Sequence, residues 1–135
     1  SILQYKQSPY AQIHDAKVHP NHWKGTPPGS SYKGDCWLCS KGCFILCILK
    51  MKGLLPTEQN IKLFLNQNAD VDWGKAGIVK NTIIQTNSIG KLKSRQHYVQ
   101  IMTQGSDGNF TVYDPNGGQT KTMKGSEFEY CHVFK

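Results

Sequence analysis

Ser40-Lys41-Gly42-Cys43-Phe44-Ile45-Leu46-Cys47-Ile48-Leu49-Lys50-Met51-Lys52-Gly53 is the stretch that decides how this chain folds. A short polar loop ends at Gly42, a cysteine follows, and then comes an almost unbroken apolar run. Phe44, Ile45, Ile48, Leu49 and Met51 fit helical spacing better than strict alternation, and Gly53 suits a C-terminal stop. A helix this apolar belongs deep in a core, with Lys50 and Lys52 reaching outward near its end. Cys43 then falls in the first turn, where unpaired N–H groups and the positive end of the helix dipole favour a thiolate. Gly42 leaves room for another segment or a substrate to come close. Taken alone, these residues also fit a buried structural cysteine opening a core helix.

The rest of the composition sets bounds. With 135 residues the chain has the length of a single domain, residues 1–135, around one core. No stretch approaches the roughly 18–20 apolar residues of a membrane span. No basic-then-apolar leader opens the chain, so a targeting signal is expected to be absent or already removed. Sixteen basic against nine acidic residues leave +7, a balance suited to polyanions such as nucleic acid, an acidic membrane surface or the polymers of a bacterial wall. The charges are dispersed, however. Only Lys91-Leu92-Lys93-Ser94-Arg95 clusters, without interleaved aromatics, so the expectation is a solvated basic face and no nucleic-acid partner.

The cysteine count is odd, at five. Cys36, Cys39, Cys43 and Cys47 crowd together while Cys131 stands far off. Cys36-x-x-Cys39 is compatible with a metal half-site, a redox pair or neither. Together with Cys43 and Cys47 it spells a four-cysteine zinc alternative. Against this, the second pair lies in an apolar helix with few polar neighbours to orient ligands, so neither metal nor cofactor is expected. The odd count argues against a dense disulfide framework.

Residues 1–35 are rich in turn formers, as in His19-Pro20-Asn21-His22 and Gly25-Thr26-Pro27-Pro28-Gly29, and read as an extended arm over the domain. His14, His19 and His22 are read there as surface histidines rather than ligands. Residues 40–79 form a helical half. Thr57 caps a second helix whose apolar face is Ile61, Phe64 and Leu65, and residues 73–79 hold a short helix docking Trp73 on the core. From residue 81 the period changes to that of strands: 82–86, 97–102, 109–114, 119–123 and 129–134, with a hairpin at Gly105-Ser106-Asp107-Gly108-Asn109. Helices followed by a run of antiparallel strands define an α+β domain.

One constellation carries chemistry. Cysteine hydrolysis needs a thiolate, an imidazole to move its proton, and a polar group to hold that imidazole. Cys43 opens the core helix, His97 starts one strand and Asp114 ends the next. In a hairpin the start of one strand lies opposite the finish of the other, which brings His97 and Asp114 together. Singly, His97 reads as a rim histidine and Asp114 as a turn starter before Pro115; jointly with Cys43 they read as a catalytic set.

Gly42-Cys43, the turn and helix from Gly53 to Leu65 with Asn60, Trp73, His97-Tyr98-Val99 and Asp114-Pro115-Asn116-Gly117 together resemble the papain-fold cysteine peptidases related to the double-glycine leader peptidases, in their free-standing bacterial and phage branch. The resemblance covers most of the chain from about residue 40. It implies a papain-like fold, with helices packed on a C-terminal antiparallel sheet, and a triad of Cys43 as nucleophile, His97 as general base and acid, and Asp114 as orienter. It also implies an upstream glutamine in the oxyanion hole. Gln12, in Ser8-Pro9-Tyr10-Ala11-Gln12, looks most like that motif, with Gln7 as its rival. The chain departs from the family where Leu46, Cys47 and Leu49 replace the usual small or hydroxyl residues. It departs again in the long Gln12–Cys43 gap, where a second frame makes Cys36 the nucleophile. The expected activity is a cysteine peptidase or amidase acting on peptidoglycan, as a monomer outside the cell or in a virion or cell wall. The alternatives are cleavage of a protein or leader peptide, acyl transfer, an inactive binding module on the same scaffold, and the zinc-stabilised domain.

Overall fold

The apolar run does become the central helix. In the computed structural model, which describes residues 2–135 and side chains from Gln4 onward, a 3-10 turn at Ile2–Tyr5 precedes five helices. These are α1 (Tyr10–Ile13), α2 (Trp37–Lys41), α3 (Cys43–Lys52), α4 (Glu58–Lys62) and α5 (Trp73–Ala76). Every side chain of α3 from Ile45 to Leu49 is at most 1% exposed, burial worth roughly 1.5–3 kcal/mol for each large apolar group. Gly53 ends α3 in the left-handed conformation, with φ at 70°. Thr57 caps α4, its side chain accepting the Asn60 N–H.

Six strands follow: β1 (Ile78–Asn81), β2 (Ser88–Leu92), β3 (Tyr98–Gln104), β4 (Phe110–Asp114), β5 (Gln119–Met123) and β6 (Phe128–Phe134). They form one antiparallel sheet in the order β1-β6-β2-β3-β4-β5, so the last strand inserts between the first two. The architecture is α+β. One face of the sheet meets α3, where Tyr98, Tyr113 and Ile89 join the helix residues in the larger core. On the other face Val99, Ile101, Val112, Phe128 and Cys131 make a second cluster drawn from strands alone. Register shifts at Lys91/Leu92 and Ile101/Thr103 bend the strands there, and a coiled sheet can bury such a face against itself.

Several expectations are corrected. Residues 82–86 are not a strand but the link between β1 and β2, with Ile83 71% exposed; the β-branched run misled, because a loop can carry isoleucine when nothing packs on it. Trp73 docks only in part: it stays 42% exposed while its ring meets the buried His132 edge-on at 4.5 Å. The first 35 residues carry the 3-10 turn and α1 and are anchored into the domain. Tyr5, Ile13, His19 and His22 are buried, and backbone bonds tie Gln7 to Pro115 and Trp23 to Pro56. His19 and His22 are therefore interior rather than surface histidines.

Candidate active site

Cys43, His97 and Asp114 are brought together from three elements. Gly42 separates α2 from α3, and a Cβ there would lie 2.5 Å from the Leu38 carbonyl oxygen; the close approach that requires glycine is thus made by the chain's own backbone. Cys43 follows as the first residue of α3 and is 9% exposed, whereas Cys47 and Cys131 are fully enclosed. His97 sits immediately before β3, and Asp114 ends β4 next to the Gln100–Tyr113 pair. His97 Nε2 and Asp114 Oδ1 are 2.7 Å apart. That bond leaves the other ring nitrogen uncommitted, and Cys43 is near enough to act on the ring's titration.

Burial works against a charged His97, but hydrogen bonds to Asp114 and Cys43 and the attraction of both as anions prevail, raising the imidazole to about 9. Burial also disfavours the Asp114 carboxylate. Hydrogen bonds from His97 and Lys121, the His97 charge and the Asn116 N–H outweigh it and hold the group near 2. The charged forms of both are thus the stable ones at neutral pH. An imidazolium beside a sulfur, steadied by a carboxylate, is the ion-pair arrangement that thiol nucleophiles use.

Two supports were not anticipated. Lys121 on β5 reaches Asp114 Oδ2 at 2.9 Å, and the Asn116 N–H donates to Asp114 Oδ1 at 2.9 Å. The first was within reach of a hairpin reading: Asp114 pairs with Gln119 and Val112 with Lys121, which sets Lys121 diagonal to Asp114 on one face.

The oxyanion residues divide differently from expectation. Gln12 is exposed on α1 and its side-chain oxygen takes Lys6 Nζ. Gln7 is buried between the Asp114–Asn116 turn and α2. Its N–H donates to Pro115, and its side-chain amide donates to the carbonyls of Leu38 at 3.1 Å and Cys39 at 3.4 Å. The Gln7 amide N–H groups are therefore committed, whereas the Gln12 bond engages only its oxygen; the first-turn N–H groups of α3 are the backbone donors at the Cys43 end of that helix. Cys36 is tied to Cys39 in a disulfide, which removes it as the nucleophile of the second frame. The four-cysteine zinc arrangement is not what forms, since Cys43 and Cys47 stay free and buried while Cys36 and Cys39 pair.

A cavity of about 790 Å³ opens beside Cys43, walled by Tyr32, Trp37, Phe44, Trp73 and Tyr98. Another hollow, about 640 Å³ and lined by Met51, Lys52 and Phe134, lies at the far end of α3 and is lined by no cysteine or histidine. Among the described residues no helix is long and apolar enough to cross a membrane. No protein-family model, no curated protein and no solved structure matches this chain.

Proposed function

We propose that the chain is a papain-like cysteine peptidase or amidase that hydrolyses peptide bonds of bacterial cell-wall peptidoglycan. The observation that carries this reading is the His97–Asp114 pair, with Cys43 close enough to influence His97 and lining an aromatic-walled cavity. In the proposed reaction the Cys43 thiolate attacks the scissile carbonyl carbon, and the new charge on oxygen faces the first-turn N–H groups of α3. His97 passes its proton to the leaving amine as the C–N bond breaks, leaving a thioester. Neutral His97 then takes a proton from water, hydroxide attacks the thioester, and the sulfur departs as thiolate. Asp114, fixed by Lys121 and Asn116, stays ionised throughout and holds the ring. The sequence resemblance and the +7 balance favour an anionic wall substrate over a generic protein, with an extracellular or virion setting to match.

One observation favours a second reading. With Gln7 committed to two carbonyls, the buried glutamine of the two has no amide N–H left for the oxyanion, as suits a binding module that kept the cleft and lost the chemistry. Incubation with purified wall material, and separately with a peptide library, separates the two. The wild type should release products with new amino termini that Cys43→Ser and His97→Ala do not. Iodoacetamide should alkylate Cys43 fast and spare Cys47 and Cys131. Absence of product, with Cys43 alkylated no faster than the denatured thiol, sinks the enzyme reading and leaves the binder.

A further inference from the structure

A second cluster of reactive side chains lies away from the triad, where α1 and α2 meet. His14 follows α1 directly and Cys36 caps α2, its sulfur accepting the Cys39 N–H at 3.2 Å. One donor atom each from His14, Cys36 and Cys39 lie within 4.8 Å of one another. The His14 ring stacks obliquely on Tyr10 at 4.0 Å, yet its Nε2 is shielded from solvent without a hydrogen-bond partner among the described residues. A shielded ring nitrogen without a partner is costly, and an imidazole beside two sulfurs has an alternative use as a ligand.

We propose that His14, Cys36 and Cys39 form a redox-gated zinc site, closed as a disulfide when oxidised and able to hold Zn²⁺ once a thiol reductant opens the bond.

The donor set is the chemistry that zinc selects: two thiolates and an imidazole, with a fourth position for water or a carboxylate. Tetrahedral bonds of about 2.3 Å to sulfur and about 2.1 Å to nitrogen spread the donors about 3.5–3.8 Å apart, inside the span of this cluster. The paired sulfurs are closer than that in the disulfide, so opening it is what makes room for the ion. Asp35, next to Cys36, is near enough for its charge to act on His14 and offers the carboxylate. Lys24 works against a dication, since its ammonium donates to the His14 carbonyl at 2.9 Å, but two thiolates outweigh one ammonium. Cys36 is enclosed, while Cys39 and His14 are half-buried, so a reductant and then the ion can enter from their side.

The balance is simple. Two small-molecule thiols reduce the Cys36–Cys39 bond, giving two protein thiols and one small-molecule disulfide. Zinc then displaces the two thiol protons to solvent and changes no oxidation state. Because Leu38 and Cys39 supply the carbonyls that anchor Gln7, the disulfide and the zinc-bound form are two ways of holding the same segment ahead of Cys43.

The test titrates the whole chain with zinc alone, before and after reduction and anaerobic removal of the thiol, against a chromogenic chelator. Cobalt(II) is then substituted to read thiolate charge-transfer bands. Reduced wild type and reduced Cys43→Ala should each bind one ion, while oxidised wild type and Cys36→Ser/Cys39→Ser bind none. Reduced His14→Ala should bind about tenfold or more weakly, as loss of one of three protein ligands implies. Circular dichroism follows each sample; if the double serine variant fails to fold, oxidised wild type and His14→Ala serve as the comparison. The proposal falls if reduced wild type takes up no zinc, if uptake survives the loss of both cysteines, if His14→Ala binds as tightly as wild type, or if Cys43→Ala abolishes uptake, which would place the ion on the Cys43–His97 pair.

Discussion

At the scale of single residues, His97 is the group whose state decides what the site can do. Its ordinary value of 6.5 is raised to about 9: burial opposes the charge, and Asp114 and Cys43 overcome it. The imidazolium should therefore persist through neutral pH, and kcat/KM on any cleaved substrate should fall on an alkaline limb near pH 9. Asp114→Asn keeps a hydrogen-bonding group but removes the anion. It should draw the limb down by about one to two pH units, towards the ordinary histidine value, and slow turnover by about tenfold or more. An unmoved limb would mean that Asp114 does not govern the ring. Lys121→Gln tests the support behind it. With the ammonium gone from Asp114 Oδ2, Asp114 stays ionised and one neighbouring cation is lost, so the limb should move by a small step upward, opposite to Asp114→Asn, while the fold measured by circular dichroism stays unchanged. Part of this was readable in advance. His97 and Asp114 are linked by a local hairpin, so their proximity needs no long-range assumption. Gln7 and His14 were not, because their neighbours Leu38, Cys36 and Cys39 are more than twenty residues away, across turns whose path no periodicity reveals.

At the scale of elements, the junction between α2 and α3 sets the position of the sulfur. A Cβ on residue 42 meets the Leu38 carbonyl oxygen and α-carbon, both backbone atoms, at 2.5 and 2.8 Å, and backbone cannot step aside as a side-chain tip does. Gly42→Ala should cost about 1–3 kcal/mol in urea unfolding, the range of an overpacked core. Displacement of α2 should also change the iodoacetamide rate at Cys43. A variant with wild-type stability and wild-type alkylation would show that the junction is not tight. The same contrast explains which elements were legible. α3 announces itself by ten residues of near-continuous apolar periodicity and a terminal glycine. β2, Ser88-Ile89-Gly90-Lys91-Leu92, hides, because glycine, serine and lysine carry little strand signal. Its glycine has a tertiary cause: a Cβ on Gly90 would lie 2.6 Å from the Phe128 ring. That ring arrives from β6, which inserts beside β2 from the far end of the chain. Residues 82–86 carry the opposite disguise, with isoleucines in a link that the Asn81 side chain starts by accepting the Ile83 N–H at 2.8 Å.

For the molecule as a whole, histidines in three environments pull stability in opposite directions with pH. His132 on β6 is enclosed by Phe44, Trp73, Tyr98 and Tyr130, and burial, helped by the Lys80 charge, lowers it to about 4. Burial lowers His22 to about 4 as well, with His19, His14 and Lys24 adding to the effect. Both groups have folded values below the ordinary 6.5, so the unfolded chain takes up their protons first. The stability they allow is whole above 6.5 and is lost as pH falls through 4. His97 has the reverse sign. Its contribution is whole below 6.5 and is lost as pH rises through about 9. Unfolding free energy should therefore peak near pH 6.5–7 and decline on both sides, as read by urea melts from about pH 4.5 to 9.5. Neither ring nitrogen of His132 has a hydrogen-bond partner among the described residues, so His132→Phe removes the titration without removing a bond. It should match the wild type within about 1 kcal/mol at pH 7.5, exceed it at pH 5, and make the acid limb shallower while leaving the alkaline limb in place. Asp114→Asn should do the converse, flattening the alkaline limb alone over the range melted. If His132→Phe instead loses stability equally at every pH, the ring serves the aromatic cluster by its shape, and the acid limb belongs to His22.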